Sequence, residues 1–416
     1  MNKFSQSSYL NFLSILSACL IPLLVTGPFL PDLVVSVLSL WFLYYSFKNK
    51  LYYLYRNHYF WVFISFWLVC VLSSLLSEKV LFSLKASLFY VRIGVFALLI
   101  SYLIEKNKKV LDYFYYAFLI TFSILIVDGY IQYFTGSNLF GYQMKTEGNI
   151  ARVSSFFGHE LILGSYLVRL FPLLFALFIA RKKKNFLEVY LISILFILID
   201  VLIFLAGERA SFALLNLSTF FIIIFISSYK YLRTGIFLIS LCLVTFLALN
   251  DERLYDRYIK SPIESTGLKS FAPDSKKYLF TPAHDSLIRT GWNMFLDKPV
   301  LGHGPKLFRI KCADPKFAEG INPCDVHPHN FYVQLLAETG IIGFLFLAGL
   351  FFYFICLMIN YAFQYFINRK KSLSDYQICL LSGLLITIWP ITTNGNIFTN
   401  HLMLFYSLQM GFFLKK

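Results

Sequence analysis

Two histidines, a proline and an asparagine open an apolar stretch in the last third of the chain: His327-Pro328-His329-Asn330, followed by Gln334, Glu338, Gly340 and Gly343. An imidazole with its ordinary pKa of about 6.5 exchanges protons at neutral pH and can serve as a general base. Pro328 keeps His327 out of the α region, so the stretch reads as extended chain running into a helix. His329 and Asn330 then sit at the helix mouth, where free backbone N–H groups and the dipole favour an anionic ligand. In helical register His329, Val333 and Leu336 share a face, and Gln334 and Glu338 lie one above the other. A plain polar cap at a membrane surface is the competing reading.

Three cations elsewhere are candidates to hold such an anion. Arg209 lies in Gly207-Glu208-Arg209-Ala210-Ser211, where a planar guanidinium can clamp a phosphate bidentately. Its plainer role is a surface pair with Glu208, worth little. Arg289 precedes Trp292 by three residues, and Arg152 stands in Arg152-Val-Ser-Ser-Phe-Phe-Gly-His159-Glu160. An exposed helix arginine and an interfacial anchor are the alternatives for these two. His303, between two glycines, reads as a turn residue. No His-Glu-x-x-His or Asp-x-Asp occurs, so metal-independent chemistry is expected.

A membrane-embedded bundle must position these residues. Hydrophobic side chains make up 58% of the chain and charged ones 14%, with a mean hydropathy of +0.66. Apolar runs fall at roughly 9–26, 29–47, 58–77, 81–104, 110–134, 161–180, 187–206, 210–228, 233–250, 340–366, 376–392 and 397–414. They predict an all-α polytopic membrane protein of about twelve spans, with a re-entrant break over 394–400 as an alternative for the end. The first run lacks the flanks of a cleaved signal peptide and reads as a retained span. Basic clusters mark alternate connections: Lys48, Lys50 and Arg56; Lys106, Lys108 and Lys109; Arg181, Lys182, Lys183 and Lys184; Lys230 and Arg233; Arg369, Lys370 and Lys371; Lys415 and Lys416. The positive-inside rule places these connections and both termini in the cytoplasm. The net charge of +15 is thereby spent along the membrane, which argues against nucleic-acid binding.

The organisation expected is a bundle of about nine helices over 1–250, an outer loop domain over 251–339 and about three further spans over 340–416. The loop holds Tyr255, Tyr258, Phe271, Tyr278, Trp292, Phe295, Phe308 and Phe317, too many aromatics for disorder. Leu287, Ile288, Trp292 and Phe295 are near helical spacing, and the turn Pro299-Val-Leu-Gly302-His303-Gly304-Pro305 ends that helix. Cys312 and Cys324 can pair if the loop faces an oxidising compartment, with two free thiols as the alternative. Cys19, Cys70, Cys242, Cys356 and Cys379 fall in spans as small buried hydrophobes.

The chain resembles the O-antigen ligase and O-antigen polymerase superfamily, bacterial inner-membrane glycosyltransferases using polyprenyl-diphosphate-linked glycans. The resemblance rests on His327-Pro-His329-Asn330 with Gln334, Glu338, Gly340 and Gly343, on Arg289-x-x-Trp292 leading to Pro299-x-x-Gly302-x-Gly304, and on Gly207-Glu-Arg209 before a span. It implies a C-type glycosyltransferase architecture with the long loop in the periplasm. It makes His329 the expected general base and Arg209 and Arg289 the arginines on the donor diphosphate. His327 would support His329, with Asn330, Arg152 and Glu338 as further substrate-binding candidates. The implied partners are an undecaprenyl-diphosphate-linked glycan as donor, lipid A core as acceptor, and membrane lipid, with no cofactor. An O-antigen ligase of lipopolysaccharide biosynthesis, transferring with inversion, is the leading expectation. The alternative is an O-antigen or capsular polysaccharide polymerase on the same carrier. A lipid-linked glycan transporter is disfavoured, because no paired halves are evident.

Overall fold

The computed structural model describes residues 3–147, 150–182, 184–265 and 281–414. Phe271 and Tyr278 lie outside them. Among the described residues eight helices are long and apolar enough to cross a membrane: Phe29–Lys48, His58–Leu75, Val80–Lys106, Val110–Thr135, Leu163–Ala180, Phe186–Leu205, Lys230–Asn250 and Phe331–Phe366. Four shorter apolar helices accompany them, Ser8–Leu23, Arg209–Phe225, Asp375–Thr387 and Leu402–Phe413. The chain is a multi-pass membrane protein. Eight full-length spans are fewer than the apolar runs suggested. One reason is visible at the end of the chain, where helix Asp375–Thr387 stops before Pro390 and a turn-rich stretch that a proline and asparagines favour. The β structure among the described residues is slight: Lys145–Glu147 pairs antiparallel with Ile150–Arg152, and an isolated bridge joins Ser137 to Gln143.

Leu163–Ala180 is the central helix, buried over most of its length and apolar apart from Ser165, Tyr166 and Arg169, as a core helix should be. It packs against Asp375–Thr387, Arg209–Phe225, Val110–Thr135 and Phe186–Leu205. His58–Leu75, by contrast, leaves most of its surface open, where lipid can cover it. Arg233, counted above among cytoplasmic cations, is instead fully buried. It lies in the first turn of Lys230–Asn250 and makes a bidentate pair with Asp200, Nη1–Oδ2 2.8 Å and Nη2–Oδ1 3.2 Å. Such a fork satisfies both charges where water cannot. Cys70 and Cys379 are buried, Cys19 is partly so, and Cys242 and Cys356 are exposed on the bundle exterior.

Helix Phe331–Phe366 is broken at Gly340, whose φ of 66° and ψ of −166° leave the helical region. The turn 299–304 fills the break. Ile341 N donates to Pro299 O (2.8 Å), His303 N to Ala337 O (3.0 Å) and Gly304 N to Glu338 O (2.8 Å). Ser73 of helix His58–Leu75 donates to Leu301 O and Glu338 O. The backbone groups freed by the break are thus answered by the turn and a neighbouring helix. A Cβ on Gly302 would strike the Glu338 backbone, and one on Gly340 the Val300 backbone, so both glycines allow the close approach. Helix Pro282–Asp297 packs against the first part of the broken helix. Beyond it a disulfide joins Cys312 to Cys324, with 4.8 Å between their Cα atoms.

Candidate active site

Asn330 caps the broken helix, its Oδ1 accepting from Tyr332 N (3.0 Å) and Val333 N (3.1 Å). Its Nδ2 donates to Pro390 O (2.8 Å) and Thr392 O (3.3 Å). Both ends of this carboxamide are occupied in structure, so Asn330 builds the site rather than facing a ligand. His329 does not continue the helix as the register suggested. It adopts φ 54°, a left-handed conformation that histidine tolerates better than most residues. That bend lets His329 O accept from Asn394 N at 2.8 Å. His327 Nε2 in turn donates to Asn394 O at 3.0 Å, and its buried Nδ1 has no partner among the described residues. One residue in the break between the last two helices therefore holds both histidines.

The imidazoles form a row. His327 and His329 have ring centroids 4.2 Å apart, and His284 stands edge-on to His329 at 5.2 Å. His284 comes from the start of Pro282–Asp297, a helix capped by Thr281, and its Nδ1 lies 2.6 Å from Thr281 Oγ1. Burial, then the neighbouring His329 and Arg209, push His284 down to about 4. Burial and His329 push His327 down to about 4 as well. Both are neutral at pH 7. His329 Nε2 meets Asp325 Oδ2 at 3.1 Å, and an ionised carboxylate only accepts, so this nitrogen carries the proton. In the neutral ring this tautomer leaves the lone pair on Nδ1. Among the described residues no three His, Cys, Asp or Glu side chains converge as metal ligands.

Arg209 reaches this row through its charge on His284. Its sequence neighbour does not neutralise it. Glu208 turns to the N-terminus of the central helix, accepting from Gly164 N (2.7 Å), Ser165 N (3.0 Å) and Ser211 Oγ (2.9 Å), where the helix dipole favours a carboxylate. Arg209 is half-buried and makes no hydrogen bond or ion pair among the described residues. The corner that carries it is rigid. Arg152 Nε donates to Ala206 O (3.3 Å), Arg257 Nε to Gly207 O (2.8 Å) and Tyr258 OH to Phe204 O (2.7 Å), capping the carbonyl end of Phe186–Leu205. Arg152 is buried there, near Glu208 and Arg209.

Two expected site residues stand differently. Arg289 is half-exposed and paired with Asp285 Oδ2 (2.7 Å) and Glu319 Oε1 (3.1 Å). Five residues beyond His284, it points about 140° away around the helix. Glu338 is fully buried, and its carboxylate accepts from Phe308 N (2.9 Å) and Gln334 Nε2 (2.9 Å). It holds the 304–309 turn against the helix.

His284, Asp325, Asn394 and Arg169 also belong to the site and are not among the residues that the sequence motifs mark. Arg169 is buried in the central helix with no carboxylate in ion-pair reach among the described residues, donating to Asn394 Oδ1 (3.0 Å) and to Ser165. A lone arginine inside a span was the available signal. The other three carried none, since each matters only through a contact made across the fold.

Residues 192–348 match the family model described as O-Antigen ligase. Comparison with curated proteins found none that matches the chain. The matched segment runs from helix Phe186–Leu205 past the Gly340 break, taking in Arg209, His284, Asp325, His327 and His329 but not Arg152, Arg169 or Asn394. Over this segment, which is less than half of the chain, the protein is similar to the O-antigen ligase superfamily.

Proposed function

We propose that the protein is an O-antigen ligase that moves a glycan from undecaprenyl diphosphate to a sugar hydroxyl of lipid A core, on the periplasmic face of the inner membrane. The observation that carries this reading is His329, oriented by Asp325 and next to two neutral imidazoles, with Arg209 unpaired among the described residues nearby. The acceptor hydroxyl gives its proton to His329 Nδ1 as its oxygen attacks the anomeric carbon. The bond from that carbon to the diphosphate oxygen breaks, the electron pair leaves with the diphosphate, and the anomeric centre inverts. A general base of this kind supplies about 10²- to 10⁴-fold. Arg209 stabilises the charge developing on the leaving group, a preorganised electrostatic contribution that is often the larger one. Arg152 shapes the corner that presents Arg209. In this reading the reaction needs no metal or other cofactor.

A lipid-linked donor suits the bundle. An apolar cavity of about 820 Å³ lies between helices His58–Leu75, Val80–Lys106 and the second half of the broken helix, lined by Phe63, Tyr90, Leu335, Phe346, Ile397 and Met403 among others. Leu335 is three residues from Glu338, so the cavity approaches the polar turn from the membrane side. The loop domain over 251–339 would cover the sugars and limit hydrolysis. The alternating basic connections support twelve spans, with both termini in the cytoplasm.

The test is release of undecaprenyl diphosphate by purified protein given lipid-linked glycan and lipid A core in EDTA, comparing wild type with His329→Ala. Transfer to lipid A core that the substitution removes supports the ligase. Chains that lengthen on the carrier while lipid A core stays bare make it a polymerase instead. Binding of the carrier without diphosphate release overturns the enzymatic reading.

A further inference from the structure

A second group of cations stands at the other end of the imidazole row. The turn after His303 presents Lys306 and Arg309, both half-buried. Glu338 builds this turn from inside, taking the N–H groups of Phe308 and Lys306 on its carboxylate and that of Gly304 on its backbone carbonyl. Held this way, Lys306 adopts φ 63°, a conformation costly for a lysine and kept only when the surroundings enforce it.

The Glu338 carboxylate acts on both cations through its charge, but neither has a hydrogen-bonded partner among the described residues. Among the described residues, the Lys306 ammonium and the Arg309 guanidinium make no hydrogen bond or ion pair, and Arg309 Nε is buried without a partner. The nearby carboxylates are committed elsewhere: Glu338 to the turn, and Asp32 to Arg92. Burial, with Arg309 beside it, pushes the Lys306 ammonium down. Leaving two desolvated cations unpaired is expensive, and an anionic ligand would remove that cost.

Arg309 acts on His327, whereas Arg209 acts on His284. His329 contacts both rings, so a different cationic group stands beside each of its two neighbours. An inverting displacement at His329 likewise needs the donor diphosphate and the acceptor on different sides. We propose that Lys306 and Arg309 form a second anion-binding site, which holds a phosphate or carboxylate group of the acceptor saccharide while the donor diphosphate lies toward Arg209. This rests on the glycosyl-transfer reading, and it makes the acceptor an acidic saccharide.

The experiment has two arms, both on the purified full chain. In the first, transfer from lipid-linked glycan is measured with an acidic core acceptor, its phosphatase-treated form and its carboxyl-reduced form. Lys306→Gln with Arg309→Gln should raise the KM for the acidic acceptor roughly tenfold or more, as loss of charge-assisted hydrogen bonds does, and leave the donor KM unchanged. The treated acceptor that loses the wild-type advantage identifies which group is held. A rise in donor KM alone, or equal wild-type KM for acidic and neutral acceptors, overturns the proposal. The second arm uses inorganic phosphate and no glycan. In an Arg209→Gln background phosphate should still raise Tm, and adding the Lys306 and Arg309 substitutions should abolish the rise. No phosphate effect on Arg209→Gln overturns the site. A phosphate effect in a protein that moves no glycan keeps the site and sinks the glycosyl-transfer reading instead.

Discussion

Asp325 Oδ2 lies 3.1 Å from Nε2 of His329, so the carboxylate selects the tautomer whose lone pair sits on Nδ1. Burial pushes Asp325 up, but the hydrogen bonds from His329 and Val326 N–H outweigh it and hold the carboxyl below its usual range. Asp325→Asn would place an amide N–H against Nε2 and favour the opposite tautomer, removing the base. Turnover should fall roughly 10²-fold or more. The pair is partly exposed, so Tm should barely move. Steady-state transfer with a parallel melt checks this, and an Asn variant of normal turnover would remove Asp325 from the mechanism.

Arg169 and Arg233 are both buried arginines, and they should fail differently. Arg233 neutralises Asp200, so Arg233→Ala strands a buried carboxylate and should cost about 3–5 kcal/mol. Arg169 pairs with no carboxylate among the described residues, and Glu208, on which its charge acts, keeps Arg152 and its bonds from Gly164, Ser165 and Ser211. Arg169→Gln should leave the fold nearly as stable yet release Asn394, the residue that holds His327 and His329. Turnover should drop at least tenfold, a loss of about 1.4 kcal/mol in barrier terms. Melting curves and transfer rates of the two variants, taken together, separate these roles. Equal destabilisation would make Arg169 merely structural.

Acid should loosen the site before the bundle. His284 and His327 both titrate near 4 in the folded chain against about 6.5 unfolded. Between those values the unfolded segment binds protons that the folded one refuses, so stability rises with pH across this window and is lost as pH falls from 6.5 toward 4. Protection against hydrogen exchange at residues 282–297 and 327–335 should be lower at pH 5 than at pH 7.5 once the slower intrinsic exchange in acid is allowed for. His284→Gln should blunt the change. Exchange at pH 5 no faster than the solvent correction predicts would contradict the assigned neutrality of the two rings.

The Cys312–Cys324 bridge closes a sequence separation of 12 residues and should contribute about 3 kcal/mol to the loop. Inside it Phe317 packs against His303 with ring centroids 5.3 Å apart, and Glu319 answers Arg289 and Asn293. Cys312→Ser with Cys324→Ser should therefore increase exchange along Pro282–Asp297 and lower transfer severalfold through His284. Unchanged exchange in the double variant would show that the helix stands without the bridge.

The apolar runs alone determined a helical membrane protein, because about twenty apolar residues in sequence have few other places to go. His327-Pro-His329-Asn330 was legible for a similar reason: its residue types and the proline act on their immediate neighbours. The cap role of Asn330 and the left-handed His329 were not, since both depend on the 390–394 backbone reaching the same point. Only tertiary structure brought His284, Asp325 and Asn394 to that row, turned Glu208 away from Arg209, and found Asp200 for Arg233. It also left Arg289 on the exposed side of its helix, paired with carboxylates. Periodicity reports which residues are apolar and how far apart they lie. It cannot report which buried polar group is answered by a chain segment two hundred residues away, and here that answering distributes the charge around His329.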